Sequence, residues 1–71
     1  MSEYLEVLFP RQREVLINGD STGETNVILE LEGGKYEVTL SPPPNFTPLQ
    51  HQIDLRNTSA MTPMQIKFEE I

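Results

Sequence analysis

From Val15 to Leu40 apolar side chains return at every second position, and the breaks between the runs fall on asparagine and glycine. Val15 and Ile17 precede Asn18-Gly19; Val27, Leu29 and Leu31 precede Gly33-Gly34; Tyr36, Val38 and Leu40 follow. A period of two puts alternate side chains on opposite faces of an extended chain, whereas a helix needs a period of about 3.6. The stretch predicts strands with one apolar face, joined by turns.

The same reading extends in both directions. Leu5, Val7 and Phe9 alternate with Glu6 and Leu8, a strand that Pro10 ends, although Tyr4, Leu5 and Leu8 would also stripe a short helix. Asn18 to Gly23 is dense in residues that tolerate positive φ or make local side-chain turns, and reads as a loop. Glu32-Gly33-Gly34-Lys35 reads as the tight turn of a hairpin joining the strands on either side. Ser41 to Pro48 holds Pro42, Pro43, Pro44 and Pro48, which remove ladder donors and make it a stiff crossover. Leu49, His51, Ile53 and Leu55 then alternate, Asn57-Thr58-Ser59 interrupts, and Met64, Ile66 and Phe68 complete a last strand.

The expectation is an all-β fold, a small antiparallel β-sandwich of five to seven strands formed by residues 1–71 as one domain. Val15, Ile17, Val27, Leu29, Leu31, Tyr36, Val38, Leu40, Ile53, Ile66 and Phe68 are its predicted core, with Gly19, Gly23 and Gly34 holding turns. A chain of 71 residues lies near the size at which one core suffices, and without cysteine neither a disulfide nor a thiolate metal site can add to it. A protein partner or self-association as a homo-oligomer is therefore expected.

Charge narrows the partners. Eleven acidic against five basic residues give a net charge of −6, which repels a phosphate backbone and an anionic membrane surface. Residues 1–9 have neither the basic start nor the apolar centre of a secretory signal, so a cytoplasmic location is expected if Met1 is the natural start; otherwise the compartment stays open.

Candidate chemistry is sparse. Asp20 and Glu24, with the amide and hydroxyl oxygens of the Asn18 to Glu24 loop, form the sharpest candidate for a hard cation such as calcium, but they lack the spacing of an EF-hand and suit an ordinary turn. A carbohydrate reading would add Tyr36 or Phe46 as an aromatic platform. His51 is the only histidine and has no companion at ligand or triad spacing. Gly33-Gly34-Lys35 is followed by a strand rather than the helix of a phosphate loop. Arg11 and Arg13 are bracketed by acidic residues and read as screening them, and the proline run lacks Pro-x-x-Pro spacing. The sequons at Asn45 and Asn57 read as chance. No nucleophile, base and orienting group can be assembled, so no enzyme and no cofactor is expected.

Same-parity residues on adjacent strands are neighbours, so Glu24, Glu30, Glu32 and Glu37 are expected to gather on the outer face of the middle hairpin, a solvated face or one that steers a basic partner. Exposed strand edges offer a second route to a partner, by strand addition.

The order Pro10, Val15, Ile17-Asn18-Gly19, Gly23, Thr25, Leu29, Leu31 and Gly34-Lys35-Tyr36-Glu37-Val38 resembles that of a PEGA-type domain. The family carries an apolar-x-apolar-(Asp or Asn)-Gly turn, a Gly-x-Thr-Pro step, a Gly-Lys-Tyr hairpin, a later aromatic, here Phe46, and a closing alternating strand, here Thr62 to Phe68. The likeness runs over residues 7 to 68. Only Pro10 stands for the Pro-Glu-Gly-Ala signature, Thr25-Asn26 replaces Thr-Pro, and the proline triplet is unusual. The resemblance implies a transthyretin-like sandwich, an accessory module of larger bacterial or archaeal surface proteins without catalytic residues of its own.

Overall fold

The computed structural model describes residues 2–71, and among them the chain forms nine strands and no helix. These are β1 (Ser2–Leu8), β2 (Glu14–Ile17), β3 (Asp20–Glu24), β4 (Ile28–Glu32), β5 (Gly34–Leu40), β6 (Phe46–Thr47), β7 (His51–Leu55), β8 (Met64–Lys67) and β9 (Glu69–Glu70). They build a three-stranded sheet in the order β4-β1-β8, a four-stranded sheet in the order β3-β2-β5-β7, and a short β6-β9 pair. The fold is all-β, as expected. One pair departs from the antiparallel rule: β8 runs parallel to β1, because the chain reaches it through the whole four-stranded sheet rather than through a tight turn.

Alternation places the core. Leu5 and Val7 of β1 and Leu29 of β4 face Val15 and Ile17 of β2, Val38 and Leu40 of β5 and Leu55 of β7, all in one buried cluster. Leu31, Tyr36, Ile53, Met64 and Ile66 pack around it, half-buried. Phe9, Phe46 and Phe68 lie at or beyond strand ends and close the sandwich where β1 and β8 finish. Phe46 meets Phe68 edge-on at 5.5 Å and Phe9 at 6.4 Å, the arrangement that ring quadrupoles favour.

Three expectations are corrected. Asn18 and Gly19, at φ 51 and 87, make a two-residue turn from which the chain returns at once as β3, so Asn18 to Glu24 is a hairpin arm and not a loop. It escaped the periodic pattern because Gly23 holds the inward position opposite Val15, and the Leu29 side chain occupies the place of its missing Cβ. The second concerns Gly33 and Gly34. Only Gly33 separates β4 from β5, too little for a hairpin, and the two strands belong to different sheets. The turn is a crossover, made with Gly34 at φ 153. Finally, Val27, taken as core, is 49% exposed before β4 begins, and Leu49, taken as strand, is 67% exposed before β7 begins.

Val27 is displaced by a corner that alternation does not show. Thr25, fully buried, donates its hydroxyl to the Arg11 carbonyl at 2.7 Å and accepts the Arg13 amide at 2.9 Å. Next to it Asn26, at φ 65, donates its side-chain amide to the Phe9 carbonyl at 2.8 Å and accepts the Phe9 N–H at 3.2 Å. The corner ties the end of β1 to the start of β4 and turns Val27 outward.

Candidate functional site

Strand identity decides where each candidate residue stands. Asp20 and Glu24 begin and end β3, opposite Ile17 and Glu14. Their neighbours are engaged locally: the Ser21 hydroxyl donates to Glu14 Oε2 at 2.5 Å, and the Thr22 hydroxyl donates to the Asp20 carbonyl at 3.0 Å. Among the described residues no group of three or more histidine, aspartate or glutamate side chains is placed to hold a metal.

The four glutamates do not form one face. Glu30 and Glu32 belong to β4 in the three-stranded sheet, while Glu24 and Glu37 belong to β3 and β5 in the other. Each pair points away from the shared core, so the two pairs lie on opposite sides of the sandwich. The predicted single acidic surface rested on the hairpin that the crossover replaces.

The aromatic platform is corrected in part. Phe46 is 3% exposed inside the ring cluster and offers no face to a ligand. Tyr36 is half-buried, donates its hydroxyl to the Glu32 carbonyl at 2.5 Å, and borders a shallow depression of about 410 Å³ with Lys35, Glu37, Gln52, Ile53 and Asp54. Its position suits cross-sheet packing.

The remaining polar candidates make contacts within the sandwich. His51 Nε2 donates to the Lys67 carbonyl at 2.9 Å, and its ring meets Phe68 at 4.8 Å, joining the edge strands β7 and β8 of the two sheets. Arg13 caps the aromatic end, 5.2 Å over Phe9 and 5.9 Å over Phe46, and donates to the Pro43 carbonyl at 3.0 Å and to Asn45 Oδ1 at 2.5 Å. Arg11 pairs with Glu70 at 2.6 Å. Glu3 accepts the Thr58 hydroxyl at 2.7 Å and the Thr58 N–H at 2.9 Å; the hydroxyl bond, then the amide bond, hold its carboxyl below the ordinary value of 4.5, against a smaller opposing effect of burial.

What alternation left unexamined is the outer face of the three-stranded sheet. Leu5 and Val7 point inward, so Tyr4, Glu6 and Leu8 point out, beside Ile28, Glu30 and Glu32 of β4 and Gln65 and Lys67 of β8. Glu6 accepts the Gln65 side-chain amide at 2.8 Å at the centre of this face. Ile28 is 45% exposed, next to exposed Val27. The signal was present in the sequence: Tyr4, Leu8 and Ile28 are apolar at positions that alternation assigns to solvent.

The family model of the PEGA domain matches residues 9–71. Neither the curated proteins nor the solved structures contain a match.

Proposed function

The chain belongs to the PEGA domain family, and on that premise we propose that it is a non-catalytic β-sandwich module that works by contact with another polypeptide. The observation that carries this reading is the outer face of the β4-β1-β8 sheet. A sheet packed on one side keeps polar residues on the other. Here Ile28 and Val27 stand about half exposed beside outward-pointing Tyr4 and Leu8. Of the five basic residues only Lys67 stands on this face, 3.9 Å from Glu69; Arg11 and Arg56 sit in ion pairs with Glu70 and Asp54, Arg13 caps the aromatic end and Lys35 belongs to the other sheet.

Carbene footprinting tests the reading on the purified protein and on the same protein in an extract of the cells that produce it. Lower labelling of Tyr4, Val27 and Ile28 in the extract is expected, with Met61, which is 93% exposed, as the internal reference. Equal labelling in both settings would overturn it. A light-scattering mass over a dilution series separates contact between copies, which raises the mass with concentration, from contact with a different chain.

A further inference from the structure

We propose that the free edge of β4 receives an extended cationic segment of a partner polypeptide, which joins the three-stranded sheet as a fourth strand beyond β4. This rests on the contact reading above and names the partner's chemistry.

The backbone identifies which groups are open. On β1 the Tyr4 N–H donates to Thr58 Oγ1 and the Leu8 carbonyl accepts the Phe68 N–H, both on the β8 side, while the Val7 carbonyl accepts the Asn26 N–H on the β4 side. Successive residues of a strand direct their backbone groups to opposite sides. Glu3, Leu5 and Val7 therefore face β4, and their register partners Leu31 and Leu29 complete that ladder. Ile28, Glu30 and Glu32 then turn their amides and carbonyls to the free edge. The Glu32 carbonyl already accepts the Tyr36 hydroxyl. Ile28 and Glu30 offer two donors and two acceptors at the spacing a new strand needs.

The other edges are less open to this chemistry. On β8 the Lys67 carbonyl is taken by His51. The β2-β3 pairing is broken by a register shift between Val15 and Leu16. On β7 the carboxylate of Asp54 is paired with Arg56 at 2.7 Å. Soluble proteins commonly guard an edge with lysine, proline or a bulge. β4 reads Ile-Leu-Glu-Leu-Glu and carries none of these.

Charge selects the occupant. A second copy adding through the same edge would bring Glu30 and Glu32 against glutamates of the same sign, and like charges on opposed strands destabilise a pair. A strand alternating lysine or arginine with apolar residues sets its cations beside Glu30 and Glu32 and its apolar side chains beside Leu29 and Leu31. The net charge of −6 attracts such a segment from a distance.

The test is a titration of the isotopically labelled protein, followed by amide NMR, with an extended peptide of alternating lysine and valine. Expected are shifts and slowed exchange at the Ile28 and Glu30 amides, with affinity falling as salt rises. The same peptide methylated on alternate backbone nitrogens cannot complete a ladder, and a glutamate-valine peptide carries the wrong charge; neither should bind. Glu30→Lys with Glu32→Lys should weaken binding by about tenfold or more. Glu30→Pro removes an N–H that points away from β1 and should abolish slowed exchange at Ile28. If the proline variant does not fold, the charge-reversed variant decides. Equal binding of the methylated peptide, or shifts confined to side chains of another face, would overturn the proposal. Protection of Tyr4 and Ile28 in the extract without peptide binding at β4 would leave the contact reading standing and remove only this one.

Discussion

Asn26 shows how one residue accounts for a departure from the family pattern. The PEGA step places proline after the threonine, and proline fixes φ near about −65°; Asn26 stands at φ 65 and uses its side chain to hold both backbone groups of Phe9. Asn26→Pro cannot adopt that φ and also loses the Asn26 N–H bond to the Val7 carbonyl, so a loss of about 3 kcal/mol or more is expected by urea denaturation. Gly34 poses the same question without crowding, since nothing lies within 4 Å of where its Cβ would stand. Gly34→Ala should cost about 1–3 kcal/mol from backbone strain alone. An unchanged midpoint in urea would mean that the crossover relaxes. Glu3 gives a pH dependence whose sign follows from its depressed pKa. Between the folded and unfolded pKa values the unfolded chain binds the extra proton, so the stability that Glu3 contributes is complete above about 4.5 and disappears as pH falls through the folded value. Thr58→Val should raise the Glu3 titration midpoint in carboxyl NMR, and the stability gap between the two proteins should close on acidification; Thr58→Ser should restore both.

At the scale of elements, alternation located the strands far better than it located their partners. The inward set of β1, β2, β5 and β8 follows the parity of the sequence, because burial on one face leaves no other choice of side. Which strand lies beside which is decided by connections. One residue between β4 and β5 forces a change of sheet, yet Gly33-Gly34 has the composition of a hairpin turn. β3 was illegible because it carries no apolar side chain, glycine standing opposite buried Val15, and the corner at Thr25 and Asn26 because two polar residues do its work through hydrogen bonds rather than burial of apolar surface. The outer acidic face failed with the hairpin it assumed. The aromatic end was legible as single residues, Phe46 and Phe68, but not as one assembly, since β6 and β9 have only two residues each and leave no periodic trace. Phe68 joins these pieces: fully buried, it contacts Phe46 and His51, and its amide bonds to Leu8. Phe68→Ala should cost about 3–5 kcal/mol. Native-state exchange should show the Asn45 and Ile71 amides opening first in that variant, because the β6-β9 pair rests on the ring.

For the whole molecule the decisive fact is that two sheets share one small core. The radius of gyration is 11.2 Å, which matches the value of about 11 Å expected for a compact domain of this length. Neither sheet buries its apolar face without the other: Leu5, Val7 and Leu29 pack against residues that the four-stranded sheet supplies, and the chain passes between the sheets after β1, after β3, at Gly33 and again after β7. Separate unfolding of one sheet would expose the whole inner face of the other, so the intermediate costs nearly as much as complete unfolding. The two tyrosines provide a direct check, since Tyr4 lies in β1 and Tyr36 in β5, one in each sheet. In Tyr36→Phe the fluorescence reports the three-stranded sheet, and in Tyr4→Phe it reports the four-stranded one. Within each variant the fluorescence and far-ultraviolet dichroism midpoints in urea should coincide. A fluorescence midpoint that precedes the dichroism in one variant but not the other would show the sheets to be separable, and would move the proposed contact from a rigid sandwich edge to a sheet that opens.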